Sequence, residues 1–394
     1  MMDILPQNRF HMLLRGHVLD RLKELPDESV DCIMTSPPYY GLRMYRGAES
    51  QWGDWHGQLG LEPDFRMYLD HLLMVTGELK RVLKKSGTLW WNMGDSYAGS
   101  GNGHGDTTLT SNPRRKKVAE SALDVPKRIN ENIPTKSLML MPERLALRMV
   151  DEQGWILRNM NIWHKPNHMP SSVKDRLSNS YEFVMLFTKA QRYFFDLDAI
   201  RVPLSPVTLK EIEKEYNGTS LKDYGGAMAQ DASESKKRII DSLRRTKIVA
   251  EDAENMGSSR ARYYRSDKQS NVTDADGLLH RQYNGFNDRW NNGGKMNINV
   301  ANPGDVLKLA TQPHPFAHFA VYPVKLCIMP IKAGCPKDGV VLDPFAGSGT
   351  TGVATQQLGR SSILIEISDE YCDIIKQRME WGQQTLDSME WIEK

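Results

Sequence analysis

The chain is short of the features that would assign it to a membrane, a metal or a partner of one charge. In 394 residues no apolar run is long enough for a membrane span. Met1 to Arg9 carries no apolar h-region, so no secretory signal is expected. The four cysteines, Cys32, Cys327, Cys335 and Cys372, form no Cys-x-x-Cys pair and have no zinc-like spacing with histidine. No metal is expected, and the thiols read as buried or incidental in a reducing cytoplasm. Charge lacks a dominant sign: 51 Lys and Arg stand against 49 Asp and Glu, a net of +2. That excludes a strongly basic tail-type binder and leaves room for local basic patches. No internal repeat is present.

What is present is an alternation of strand and helix. Phe10 to Leu14 predicts a strand closed by Gly16; Val18, Leu19, Leu22 and Leu25 fall at helical spacing, and Val30 to Met34 predicts a buried strand. Strand, helix and strand in little more than thirty residues is the signature of a parallel α/β sheet. A loop rich in Gly, Arg and Trp (41–60) leads to a long amphipathic helix from Phe65 to Val82, with Gly87 as its expected stop. Further strands are expected at 88–92, at 156–158 and 162–163 as a short pair, at 181–188, and at 193–196. Pro142 to Gln153 predicts a helix with Pro in its first turn. The segment 98–112 is Gly, Ser, Thr and Asn, followed by Arg114-Arg115-Lys116-Lys117; it reads equally as a mobile basic arm or a solvated linker. From about 203 to 302 hydrophobic periodicity is weak, and the polar sequence with scattered aromatics reads as an insertion or a small separate module. The core resumes with the strand Val340 to Leu342, a helix 352–358, the strand 362–365 and a last helix from Asp369.

Two stretches carry chemistry. After Thr35 the strand stops at Ser36-Pro37-Pro38-Tyr39, because proline has no N–H for the ladder. Two stiff prolines leave carbonyls without local donors, beside an aromatic ring, an arrangement suited to a planar ring bearing an NH2 group. Alone, the stretch reads more readily as a Pro-Pro turn capped by a packing tyrosine. The second stretch is Asp343-Pro344-Phe345-Ala346-Gly347-Ser348-Gly349-Thr350-Thr351, a Gly-rich turn between strand and helix. It lacks the lysine of a P-loop and the three-glycine dinucleotide fingerprint. Glu366, at the end of the next strand, is placed where an acid binds ribose hydroxyls in doubly wound folds. A nucleoside-type ligand with little negative charge fits that pattern.

On these two stretches the chain resembles the beta-class DNA amino-methyltransferases of the Thr-Ser-Pro-Pro-Tyr type, which use S-adenosylmethionine to methylate cytosine N4 or adenine N6. Asp343–Thr351 resembles the family's cofactor loop, and Thr35–Tyr39 its catalytic loop. Gly87–Asp95, Trp163–Asn167 and His318–Pro323 sit where the family has smaller motifs, and the match spans most of the chain outside 200–302. The catalytic loop precedes the cofactor loop, the permuted order of the beta class. The resemblance implies a doubly wound, Rossmann-like α/β fold with permuted motifs and a polar target-recognition insert. It divides the chain into a catalytic-loop half at 1–200, the insert at 201–302 and a cofactor-binding half at 303–394.

It further implies that Ser36 and the Pro37 carbonyl accept the two N–H bonds of the target amine, within a catalytic set of Ser36, Pro37, Pro38 and Tyr39. Tyr39 would stack on a base flipped from double-stranded DNA. Methyl transfer is then direct and needs mainly positioning. The expected cofactor residues are Asp343, Pro344, Phe345, Gly347, Ser348, Gly349, Thr350, Thr351, Glu366, His318 and Pro323. Those facing base or DNA are Trp163, His164, Lys165, Asn167, Arg176, Arg114 and Arg115. One departure stands out: the family commonly has Gly-Asp where this chain has Gly16-His17, with Asp20 as a candidate substitute for the missing acid. Serine before Pro-Pro-Tyr leans toward cytosine N4, adenine N6 being the alternative. An inactive DNA-binding relative is a second class, and an RNA or protein methyltransferase a third. A cytoplasmic enzyme with a cognate restriction endonuclease as candidate partner completes the expectation.

Overall fold

The computed structural model describes residues 9–45, 47–99, 133–168, 171, 173–203, 300–311, 322–383 and 390–393. They divide into two units, Met1–Asp196 with Gly304–Lys394, and Leu197–Pro303. Along the chain the strands are β1 (Phe10–Arg15), β2 (Val30–Thr35), β3 (Ser50–Trp52), β4 (Trp55–Gly57), β5 (Leu83–Met93), β6 (Ile156–His164), β7 (Tyr181–Thr188), β8 (Val202–Pro203), β9 (Val300–Ala301), β10 (Val306–Lys308), β11 (Val340–Asp343), β12 (Ser361–Glu366) and β13 (Glu390–Glu393). The helices are α1 (Val18–Lys23), α2 (Phe65–Val82), α3 (Met141–Gln153), α4 (Val324–Gly334), α5 (Thr350–Leu358) and α6 (Asp369–Gln383). In the second unit β8 pairs antiparallel with β9, and Arg201 binds Asp198 at 2.5 Å and Asn302 at 2.6 Å.

The first unit is organised by one sheet in the order β10-β6-β7-β5-β2-β11-β12-β1-β13. Only β7 runs antiparallel to its neighbours; the other adjacent pairs are parallel. Central strands covered on both faces need no polar side, and β2 and β12 are buried along their whole length. The alternation of side chains shows the two covering layers. Met12, Leu14, Ile363 and Ile365 join a cluster with α1, α2 and α3, whereas Leu13 and Leu364 turn the other way onto Cys372, Ile375 and Met379 of α6. This is the doubly wound Rossmann-like arrangement.

Three local expectations are corrected. Gly87 does not stop α2: Leu83 turns extended directly after Val82, and Gly87 lies within β5. Pairing with β2 slips there, and a Cβ on Gly87 would lie 2.9 Å from the Asp31 carbonyl, so the glycine serves close strand approach. The two short strands at 156–163 are one strand, β6, whose register slip between Leu157 and Asn159 interrupts the period-two pattern. The segment 193–196 forms no strand. Its N–H groups are used singly, Phe194 donating to Ser86 O and Asp196 to Ala333 O, each at 2.7 Å. Among the described residues no helix is long and apolar enough to cross a membrane, and the four cysteines are buried and free.

Candidate active site

Strands β2 and β11 are neighbours although about 300 residues separate them, with Cys32 opposite Val341 and Ile33 opposite Leu342. Both end at the same edge, where ligands of open α/β sheets bind. The antiparallel run of β7 brings its first residues, Tyr181 and Glu182, to that edge as well. A cavity of about 700 Å3 opens there, lined on one side by Ser36 to Tyr39 and on another by Pro344 to Ser348, Thr350 and Glu366.

The wall after β11 is held by a buried carboxylate. Asp343 Oδ1 accepts from Thr35 Oγ1 at 2.7 Å and Phe345 N at 3.1 Å. Its Oδ2 accepts from Thr351 Oγ1 at 2.6 Å and Tyr322 OH at 2.9 Å. Burial pushes the Asp343 pKa up, and those donors pull against it. Asp343, Gly349 and Thr351 lie behind the cavity wall rather than on it, and Pro323 serves as the N-cap of α4. Arg378 of α6 braces the turn by donating to Ser348 Oγ at 2.9 Å and Thr350 Oγ1 at 3.2 Å. Glu366 accepts from Gly347 N and Ser368 N, each at 2.8 Å, while burial raises its pKa to about 7. Gly347 itself sits at φ +54°, a conformation glycine adopts without strain.

This wall suits a nucleoside joined to an amino acid. Glu366 faces the cavity as an acceptor for hydroxyls, with Phe345, Tyr45 and Tyr371 as flat apolar surface. Three buried nitrogens of lining residues have no partner among the described residues: Arg43 Nη1, a donor for a carboxylate, Trp52 Nε1 and His17 Nε2. His17 packs edge-on against Trp52 at 4.5 Å, and burial lowers its pKa, which favours the neutral ring. Asp20, the candidate substitute for that acid, is not brought to the cavity. Its side chain is 72% exposed, 3.9 Å from His17, and lies off the lining.

The wall after β2 is held by distant residues. Tyr68 OH of α2 donates to Pro38 O at 2.8 Å, whereas Pro37 O has no partner among the described residues. Gly60, at φ +90°, lies against the loop; a Cβ there would stand 2.9 Å from Tyr39 O. Ser36 Oγ donates to Tyr39 OH at 3.3 Å, and Tyr39 OH donates to Glu182 Oε2 at 3.0 Å. Asn92 completes the cluster, its Nδ2 reaching Glu182 Oε2 at 3.3 Å and Phe183 O at 2.9 Å. Burial, then the Glu182 charge, pushes the Tyr39 pKa well above the usual phenol range.

Of the residues expected near the base, Trp163, Lys165 and Asn167 line the cavity and His164 does not. Lys165 Nζ lies 4.3 Å from the Trp163 ring centroid and pairs with Glu182. Asn167 bonds both ways with the Thr311 backbone, at 2.9 and 3.0 Å. Arg176 lies off the cavity, its guanidinium 3.9 Å from the Tyr97 ring centroid. Arg114, Arg115 and His318 lie outside the described residues. Glu182, Asn92, Arg43 and Tyr68 were not expected in the site. The readable signal for Glu182 was an acid preceding the apolar run Phe183–Phe187, at the start rather than the end of a strand.

A doubly wound sheet with a nucleoside wall and an acceptor loop at adjacent strand ends defines a transferase of the methyltransferase type. The chain belongs to the DNA methylase family, N6_N4_Mtase, whose model matches residues 30–377. It is similar to the Type II methyltransferase M.Cfr9I of Citrobacter freundii, 32% identical over 95% of this chain and 88% of the relative. It is also similar to the Type II methyltransferase M.SfiI of Streptomyces fimbriatus, 31% identical over 90% and 88%. Among solved structures, the cytosine-N4-specific PvuII DNA methyltransferase shares the fold, with a TM-score of 0.51 at 16% identity over 96% of this chain and 92% of that one. The chain is thus a DNA methyltransferase, and S-adenosylmethionine is its methyl donor.

Proposed function

We propose that the chain methylates the exocyclic amine of a base flipped out of double-stranded DNA, with cytosine N4 as the target. The observation that carries this reading is the pair Ser36 and Pro37 on the lining of the cavity that Glu366 also lines, with Ser36 Oγ and the Pro37 carbonyl, unpartnered among the described residues, as the two acceptors. An exocyclic amine is a weak nucleophile because its lone pair is conjugated into the ring. Two acceptors on its N–H bonds draw the nitrogen toward tetrahedral geometry and stabilise the positive charge that develops on it, an oxyanion hole with the sign reversed. When bound, S-adenosylmethionine supplies an electrophilic methyl group. Glu366, Arg43, His17 and Phe345 are the residues proposed to hold it, with Asp343, Thr351 and Arg378 fixing their wall from behind.

Tyr39 lines the same cavity, and its ring is assigned to the flipped base, together with Trp163, Lys165 and Asn167. The polar insert is assigned to target recognition and a cognate restriction endonuclease to the same cytoplasm. The choice of cytosine rests on serine at position 36, since the shared fold of the cytosine-N4-specific PvuII enzyme carries no substrate information at that identity. Digesting DNA to nucleosides after incubation with labelled S-adenosylmethionine tests the reading. N4-methylcytosine is expected. N6-methyladenine would transfer the same acceptor pair to adenine, and no methylated nucleoside on any DNA would remove the proposed reaction.

A further inference from the structure

The hydroxyl chain behind the acceptor loop has a direction, and the direction has a cause. A carboxylate can only accept hydrogen bonds, and a hydroxyl has a single proton to give. Tyr39 OH has two acceptors in reach, Glu182 Oε2 at 3.0 Å and Asn92 Oδ1 at 3.3 Å. The carboxylate is nearer and charged, so it takes the proton in a charge-assisted bond. The Tyr39 oxygen is then left with lone pairs, and Ser36 Oγ donates to it at 3.3 Å. With its own proton spent inward, Ser36 Oγ presents only lone pairs to the cavity. An amine offers N–H donors and needs that polarity; a serine donating its proton outward would oppose it. Glu182 is fixed for the task. Lys165 pairs with Oε1, and Asn92 Nδ2 approaches Oε2 while anchored to Phe183 O.

We propose that Glu182 is a positioning residue for methyl transfer: it sets the direction of the Ser36–Tyr39 hydroxyl chain, so that Ser36 faces the cavity as an acceptor. The inference rests on the role given to Ser36 above. It accounts for an acid at the start of β7, where the strand needs none. It also gives the Tyr39 hydroxyl a part distinct from that of its ring.

A glutamine at 182 can turn its NH2 toward Tyr39 and reverse the whole chain, which makes Glu182→Gln the informative variant. Its kcat on DNA is expected to fall about 10- to 100-fold, the range for losing a hydrogen bond to a charged group. Donor affinity by calorimetry and KM for DNA are expected to stay within about twofold, the scatter of independent sites. Tyr39→Phe removes the relay. In that background Glu182→Gln is expected to cost nothing further in kcat beyond about twofold. A structural role for Glu182, through Lys165 or the start of β7, would instead multiply the two losses and overturn the proposal, as would an unchanged kcat in Glu182→Gln. If Glu182→Gln fails to melt cooperatively, the same cycle is run with Glu182→Asp. Ser36→Ala separates this inference from the one beneath it. If Ser36→Ala keeps its turnover, the acceptor loop is misassigned; if it loses turnover while Glu182→Gln does not, only the relay falls.

Discussion

The two walls of the cavity are built on different principles. The wall after β11 carries its own clamp: Asp343, Phe345, Thr351 and Glu366 come from one stretch of sequence, and one buried carboxylate gathers four donors, Phe345 and Thr351 from that stretch and Thr35 and Tyr322 from outside it. The wall after β2 is two prolines long and has little of its own. Its shape depends on Tyr68, Gly60, Asn92 and Glu182, drawn from α2, β5, β7 and the loop before α2. A binding wall can be made rigid locally, because it must hold one ligand in one place. An acceptor wall must also have its proton polarity fixed, and that takes charges from elsewhere in the fold.

The largest expected effect breaks the first wall. Asp343→Ala leaves Thr35 Oγ1 and Phe345 N without their acceptor and the Tyr322 and Thr351 hydroxyls with each other and Met34 O, and removing one partner from such a site costs about 3–5 kcal/mol. Chemical denaturation should show a loss of that size, with donor affinity lost alongside it. A loss below about 1 kcal/mol would mean that the clamp is not what holds the loop, and the contrast between the walls would fail.

This contrast also explains what could be read from the sequence. Strands β2, β11 and β12 were visible because full burial makes them apolar runs, and the Gly-rich turn was visible because its residues are consecutive. Asp343 belongs to the expected cofactor set, yet its place behind the wall is hidden in the sequence, since a buried clamp and a ligand contact use the same carboxylate. Glu182 was hidden because only the antiparallel pairing of β7 brings it to the ligand edge. The slip at Arg158 concealed the continuity of β6 for a related reason: a bulge erases the period on which strand prediction depends. Arg43 carries no local pattern at all, and Tyr68 reads only as one position on the buried face of α2.

A smaller effect sharpens the description of the first wall. The folded-state pKa of Glu366, about 7, lies above its unfolded value of 4.5. The folded protein therefore binds that proton more tightly, and the stability it contributes below pH 4.5 is lost as pH rises through 7. Glu366→Gln does not titrate. The stability of the native protein relative to that variant should fall by roughly 2 kcal/mol between pH 5 and pH 8 in the absence of donor. A constant difference across that range would show that the backbone N–H groups already compensate the buried charge fully.

The smallest effect tests whether the walls are independent. Tyr68→Phe deletes the 2.8 Å hydrogen bond to the Pro38 carbonyl and leaves the buried ring in place against Tyr40. About 1 kcal/mol of stability is expected to go with it. Turnover on DNA should fall by a few-fold, because Pro38 is the neighbour of the Pro37 carbonyl proposed to grip the amine. Donor affinity should not change, since Tyr68 OH holds the Pro38 carbonyl and Tyr68 lies off the cavity that Glu366 lines. Calorimetry and steady-state kinetics on the same preparation separate the two readouts. If donor affinity fell in step with turnover, the acceptor loop would have to be shaping the donor wall across the strand pair β2–β11, and the Thr35–Asp343 bond would be the first place to look for the coupling.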